Sequence, residues 1–492
     1  MPSVKRPKVA IVGGGFSGAM TAVHLLSQDK IPLEVTVVEP RKKLGLGLAY
    51  STTHPEHLLN VPASAMSALP DDPNHFLEYA RSKDPSFSSA SFAPRILYGE
   101  YLQSLIAKSV AQSSADRGTL THLRSTVVDI EKMENDYLLT LATKTQLNAD
   151  FVVLALGNLI GIKPRWLDKV GLSSKRYLHD PWDKSAIKSI PPDEDILLIG
   201  TGLTAIDKVI EIASNEHRGR ILALSRHGLF PQQHLEHDPG PCVRTRLESG
   251  SILKSLSELR HRIDAASDWR SVIDGLRPVT LSWWRSLPVE QQKAFIRHLQ
   301  TYWDIHRHRM APEIAAKIAA LLDSGQLVLM SGRTLSMQEI KTGLQVSIRS
   351  RNTGELVNLV VGRVINCTGP QYGLENVDSP LISNLLARGL IRSHKTGAGM
   401  DCGPEGKIVN SSGVVSSRLF AVGPLLKAEL MESVAVPELR QQCKALAQVI
   451  CDLILTDYLP AKSVIEEEKE SSVPTPRNFS KMSRRLFTCE AL

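Results

Sequence analysis

Short β-branched apolar runs alternate with helical stretches along this chain, and the first of them is the sharpest. Lys8–Val12 (KVAIV) reads as a buried strand and Ala19–Leu26 (AMTAVHLL) as a helix. Leu33–Val38 (LEVTVV) is a second strand that ends in Glu39. Between the first strand and the helix lies Gly13-Gly14-Gly15-Phe16-Ser17-Gly18. The same grammar recurs near the middle: strand Asp195–Ile199 (DILLI), turn Gly200-Thr201-Gly202-Leu203-Thr204-Ala205, a helix from Ile206, then strand Ile221–Leu224 ending in Ser225-Arg226. Gly13 to Glu39 and Gly200 to Arg226 are both separations of 26 positions.

A strand–tight turn–helix–strand unit with this spacing is the context in which a G-x-G-x-x-G turn holds a dinucleotide. Gly13 permits the turn, Gly15 lets a pyrophosphate approach the backbone, and Gly18 lets the helix sit close to the sheet. The helix start at Phe16 and Ser17 offers unpaired N–H groups and the positive end of the helix dipole. Glu39 is placed to accept from ribose hydroxyls, so the first site should take the adenosine half of FAD or NAD. In the second turn Gly200, Gly202, Leu203 and Thr204 play the same parts, with Ala205 in place of the third glycine. Arg226 stands where the first site has an acid, and with the Ser225 hydroxyl it suits a 2′-phosphate, which points to NADPH. The alternative for Arg226 is a solvated charge at a strand end.

The two halves also close alike. Strands near 123–131, 136–141 and 151–156 lead to Leu156-Gly157-Asn158, and strands near 327–329, 344–348 and 356–361 lead to Asn366-Cys367-Thr368-Gly369-Pro370. A late strand, 418–422, meets Gly423-Pro424 and is followed by a helix over 436–453. The pattern predicts an α/β protein with two Rossmann-like dinucleotide-binding domains, the second inserted in the first. Residues 1–190 and 371–460 would form the FAD domain and 191–370 the NAD(P) domain, with a helical insertion over 255–325 and a flexible tail at 461–492. Phe295, Leu299, Tyr302 and Trp303 have the spacing of one buried helix face, so the aromatic–basic mixture there reads as core, not as a nucleic-acid surface. Pro312 suits the first turn of a helix with Ile314, Ile318 and Leu321 as its buried stripe.

Composition narrows the class. A net charge of +7 over 492 residues is too dilute to argue nucleic-acid binding. The longest apolar runs fall short of a membrane span, and the basic start runs directly into the first strand, so a cytoplasmic protein without a membrane role is expected. Six cysteines without a C-x-x-C pair argue against a disulfide scaffold and a dithiol centre. Cys367, beside Thr368-Gly369, reads as a small packing residue. His54-x-x-His57 and His234-x-x-His237 with Asp238 have ligand-like spacing but no convincing third ligand, so no metal is expected.

Taken together, these motifs resemble the bacterial FAD/NAD(P)-binding proteins related to flavin-dependent N-hydroxylating monooxygenases. The resemblance runs from about Lys8 to Leu453. It includes Gly45–Tyr50 (GLGLAY), Leu58–Pro62 (LLNVP) with Met66, Pro94-Arg95, Asp180-Pro181-Trp182, the Gly200 turn, Tyr302–Met310 (YWDIHRHRM) and Ala435–Arg440 (AVPELR). It implies that Gly47, Asn60 and Met66 lie along the isoalloxazine. Gly423-Pro424 and the turn before Ala435–Arg440 would bring N–H groups to the pyrimidine edge, and Gly157 and Gly369 would line the cofactors. Asn60 and Arg95 are the candidate catalytic residues. Against that, Asn60 could be only a turn-former, and Arg95 either clamps a substrate carboxylate or makes a structural ion pair.

The resemblance implies an FAD-dependent oxidoreductase that oxidises NADPH. The leading expectation is a monooxygenase hydroxylating an amine or amino-acid nitrogen with molecular oxygen, through a C4a-(hydro)peroxyflavin. One alternative is a reductase or dehydrogenase passing electrons to a quinone or other acceptor. Another is a non-catalytic FAD-binding scaffold or redox sensor. The 255–325 helices either shape the substrate pocket or form a subunit contact of a homo-oligomer.

Overall fold

In the computed structural model, β1 (Lys8–Val12) and β2 (Glu34–Val38) run parallel in register Lys8↔Glu34 to Val12↔Val38, flanking the helix Phe16–Leu26. The described residues are 6–458, without 29–30, 115–117, 161–163, 165, 168–173, 184–186, 188, 236–246 and 249. They fall into one unit, Met1–Cys451, and a second, Asp452–Leu492, of which residues 452–458 are described as the end of the helix Val436–Tyr458. The tail expected over 461–492 lies outside the described residues.

The stretch expected as one strand over 123–131 divides. Its start belongs to β3 (Thr119–Leu123), which pairs with β2, and its end to β4 (Val127–Lys132). β4 forms a separate antiparallel meander with β5 (Tyr137–Leu141) and β6 (Gln146–Ala149). β7 (Phe151–Leu154) then lies on the other side of β1. Serine and arginine at Arg124–Thr126 interrupt the apolar alternation, which is why the chain turns there instead of continuing.

The second sheet begins earlier than residue 191. Its edge strand β8 (Tyr177–Leu178) pairs with the last strand of that sheet. Next come β9 (Ile196–Ile199), the helix Leu203–Ala213 and β10 (Ile221–Ser225), parallel to β9. β11 (Leu327–Ile340) is far longer than its apolar core suggests. It pairs in parallel with β10 up to Ser225↔Ser331, then antiparallel with β12 (Gly343–Ser350) across a bulge at Thr334/Ser336. β13 (Leu356–Val361) and β14 (Arg363–Asn366) complete a seven-stranded sheet, β14 returning beside β9. The chain then re-enters the first sheet as β15 (Lys407–Val409) and β16 (Val415–Ala421), giving the order β15-β16-β7-β1-β2-β3.

Alternation along β9 sets the layers of the second half. Ile196 and Leu198 face a core made with Ile206, Ile210, Ile314 and Ile318 on the helices Leu203–Ala213 and Pro312–Asp323. Leu197 and Ile199 face the other side, with Leu344, Val346 and Ile348 of β12. Residues 252–307 form five helices. The aromatic stripe expected there holds only in part: Phe295 is buried, but Tyr302 is 42% exposed. One helix ends at His298 and the next starts at Gln300, so the helical phase is reset at Leu299 and Tyr302 turns outward. No described helix is long and apolar enough to cross a membrane.

Candidate functional site

The first nucleotide turn is tightly closed. Gly13 has φ +102° and donates to Val38 O at 2.9 Å; a Cβ there would stand 2.3 Å from Ala155 O. A Cβ on Gly18 would stand 1.9 Å from Gly13 O, so only glycine lets the helix sit this close. The N–H groups at Phe16 and Ser17 belong to an unsatisfied first helical turn. Glu39, 4% exposed, accepts from Gly14 N at 2.9 Å and from Arg41 N at 3.0 Å, with the Arg41 guanidinium at 3.1 Å. Arg41 was not a sequence candidate, and it offsets part of the negative charge that Glu39 presents. Gly47 rests against Gly15: a Cβ on Gly15 would stand 3.6 Å from the Gly47 Cα. Gly47 therefore lies beside the first glycine turn.

The second turn repeats the geometry and opens on space. Gly200 has φ +112°, donates to Leu224 O at 2.7 Å and would bring a Cβ to 2.1 Å from Cys367 O. Around Gly202 and Gly369 nothing lies within 4 Å of a built Cβ. Gly200, Gly202, Leu203 and Thr204 line a cavity of about 750 Å³ together with Ser225, Arg226 and Gly369. Arg226 is exposed, and Arg333 faces the same cavity from β11. His227 lies within the field of both Arg226 and Arg351, although burial is the main cause of its lowered pKa. Arg333 escapes the sequence pattern because the register Ser225↔Ser331, which carries β11 past the end of β10, is not visible in the sequence. The Ser225 hydroxyl is built into the turn, 2.9 Å from Thr201 Oγ1 and accepting from Gly228 N at 3.0 Å.

The helical insertion roofs this cavity. Trp284, Gln300, Asp304 and His308 line it together with Lys427 and Met431. Trp284 Nε1 donates to Ala428 O at 2.7 Å, and Arg307 donates to both oxygens of Glu432 at 2.6 and 3.1 Å. Arg277 pairs with Glu438, and Arg309 with Asp274.

The guanidinium of Arg95 is engaged within the chain. It pairs with Asp207 of the second nucleotide helix at 2.8 Å, both side chains about one-tenth exposed, and its Nε donates to Leu58 O at 3.0 Å. Of the two roles open for Arg95, the ion pair is the one seen, because Asp207 occupies the guanidinium fork. His57 adds to this tie, 3.1 Å from Asp207 O through Nε2 and 2.7 Å from Thr52 Oγ1 through Nδ1. Asn60 gives its backbone carbonyl to His234 Nε2 at 3.0 Å, and burial lowers the pKa of His234 to about 4, so the ring is neutral. His237 and Asp238 lie outside the described residues. Burial pushes the Cys367 thiol up to about 12, which leaves it unreactive.

Late in the chain, Gly423 (φ +85°) sits on Ser17: a Cβ would meet Ser17 Oγ at 2.8 Å, and Gln442 Oε1 accepts from Gly423 N at 3.4 Å. Pro424 and Met66 are buried. Gly157 (φ +66°) has open space around it, and Asn158 beside it lines both the large cavity and one of about 240 Å³ shared with Trp182, Thr204 and Gly369. Tyr98 Oη, Ser433 Oγ and Arg440 Nε are buried without partners. Tight glycine turns, a carboxylate at one strand end, open space at the second helix start and orphaned donors fit two dinucleotides.

Comparison with known proteins agrees with that geometry. Residues 10–159 match the family described as FAD-NAD(P)-binding. No curated protein matches. Among solved structures, L-lysine 6-monooxygenase from Pseudomonas syringae is similar with a TM-score of 0.63 at 14% identity, covering 92% of this chain and 100% of that one. The ornithine N-hydroxylase of Kutzneria sp. 744, with reduced FAD, NADP+ and L-ornithine, gives 0.60 at 14%, covering 91% and 99%. Thioredoxin reductase from Lactococcus lactis gives 0.51 at 10%, covering 92% and 99%. The chain has the fold of the two-dinucleotide-binding flavoproteins, an architecture it shares with these monooxygenase structures, and residues 10–159 match the FAD-NAD(P)-binding model.

Proposed function

We propose that this chain is an FAD-dependent oxidoreductase that oxidises NADPH and hydroxylates the nitrogen of an amine or amino acid. The observation that carries the reading is the pair of nucleotide turns with Glu39 at one and Arg226 at the other, with a cavity in front of the second that also reaches Asn158 of the first half. Residues 1–190 and 371–460 would hold FAD, with Gly13, Gly15, Phe16, Ser17, Gly18 and Glu39 at its adenosine and phosphates. Asn60, Met66, Gly423 and Pro424 would lie nearer the ring. Residues 191–370, with β8 added, would receive NADPH on Gly200–Thr204 and Arg226. Bound FAD would supply hydride acceptance and oxygen activation.

The chain's own part is to orient the two cofactors and exclude water. The Arg95–Asp207 pair fixes the second nucleotide helix against the first half, and the roof from Trp284 to His308 covers the cavity. The supporting likenesses are to enzymes acting on lysine and ornithine. The test is NADPH consumption by the flavin-loaded protein across a panel of amines and amino acids. The reading expects one class to accelerate consumption and lower hydrogen peroxide release. Acceleration by quinones without oxygen uptake would replace it with the reductase reading.

A further inference from the structure

Three neighbouring strands of the second sheet run parallel and end together. β8, β14 and β9 pair in that order, and their carboxyl ends release residues 179–182, 367–369 and 200–204 at one edge. Loops leaving the carboxyl ends of parallel strands are where open α/β sheets place their ligands. Here they line the pocket of about 240 Å³, below the roughly 300–1,000 Å³ of sites for larger ligands. Its other wall comes from the first half: Asn158, and Leu48 next to the Gly47 that lies against Gly15. Asn158, Thr204 and Gly369 line both this pocket and the large cavity of the second turn. The pocket is thus reached from beside both glycine turns.

Its chemistry is one-sided. Among the described residues that line it there is one carboxylate, Asp180, and no lysine or arginine. Asp180 Oδ1 accepts from Trp182 N at 2.9 Å, which fixes the side chain in its turn. Lys208, 4.9 Å from the centre of the Trp182 ring, is held by Glu211 at 2.7 Å. Asn366 ties two of the loops, donating to His179 O at 3.4 Å and accepting from Thr368 Oγ1 at 2.8 Å. A carboxylate among amides and hydroxyls, on a wall shared with an indole ring, suits an ammonium group and repels an anion.

We propose that this pocket receives the substrate and that Asp180 sets its specificity, its carboxylate pairing with an ammonium group of the amine. The proposal rests on the FAD and NADPH reading above and names the residue by which the chain recognises its substrate. An ammonium nitrogen has no lone pair, so the nitrogen held by Asp180 is not the one hydroxylated.

The test is calorimetric titration of the flavin-loaded protein, saturated with NADP+, with n-pentylamine and with its neutral counterpart 1-pentanol, so that no turnover is needed. The wild type binds the cation about 10–100-fold more tightly than the alcohol, as one hydrogen bond to a charged group contributes. Asp180→Asn, which keeps an acceptor for Trp182 N, binds both alike; Asp180→Ser serves if that variant fails to fold. Asp304→Asn, which removes the carboxylate of the large cavity, keeps the preference. Equal binding of the two probes by the wild type, or binding of neither, overturns the proposal without any variant. So does a preference that survives in Asp180→Asn or disappears in Asp304→Asn. A wild-type chain that takes up no FAD sinks the underlying reading instead, and shows itself before any amine is added.

Discussion

The two nucleotide turns share a backbone and differ in what surrounds them. At the first, Gly47 is laid on Gly15, Leu44 and Glu39 crowd Gly14, and Glu39 is 4% exposed. At the second, a Cβ added to Gly202 would meet nothing within 4 Å, Arg226 is exposed, and a cavity of about 750 Å³ opens in front. One motif thus makes an enclosed berth in one place and an open dock in the other. The segments that follow the strands differ: Gly45 and Gly47 lie against the first turn, whereas Leu229 and Pro231 line the second cavity.

The sharpest way to break this contrast is to add a methyl to each turn. Gly18→Ala meets backbone at 1.9 Å and should cost at least about 3 kcal/mol, lowering the melting temperature and leaving the purified protein without flavin colour. Gly202→Ala, in open space, should stay within about 1 kcal/mol in stability. Equal losses in the two variants would remove the contrast. Next in size is the tie between the halves. Asp207→Ala strands the guanidinium of Arg95 and should cost about 3 kcal/mol in denaturant unfolding, with a double-mutant cycle to Arg95→Ala showing strong coupling.

A smaller effect separates the coenzymes. Arg226→Ala should raise the KM for NADPH by about tenfold while the KM for NADH barely moves, as expected for one charge-assisted contact to a phosphate. Arg333→Ala should act in the same direction, and an equal response of both coenzymes would deny the second turn its phosphate preference. The smallest effect is pH-dependent. Burial first, and then Arg309, hold the pKa of His234 at about 4 against its ordinary 6.5. The unfolded chain therefore takes up that proton first, so stability is full above about pH 6.5 and falls towards pH 4, by at most about 1.4 kcal/mol per pH unit. His24, in the first half, is lowered to about 4 by burial and shifts stability in the same direction. His234→Asn should flatten only its own share of the slope, read from melting temperatures between pH 4.5 and 7.

Much of this was legible in the residues. Both glycine turns, the acid and the arginine 26 positions beyond them, and the return of the chain to the first sheet follow from local pattern. What local pattern could not show was pairing over distance. The fork of Arg95 meets Asp207 112 positions away, and nothing near either residue announces the other. The second half of β11 is polar and interrupted by Gly332, yet it remains strand because β10 and β12 hold it on successive stretches. Tyr302 has the spacing of a buried stripe, but a helix break three residues earlier rotates it out. The split between β3 and β4 hides in three residues, Arg124–Thr126, that an apolar count passes over.

One consequence follows from the way the roof is bolted down. Trp284 and Arg307 grip Ala428 and Glu432. These lie on the same short stretch of chain that leads from Gly423 to Arg440. The insertion that lines the open dock is thereby fastened to the segment whose start, Gly423, sits on Ser17 of the enclosed one.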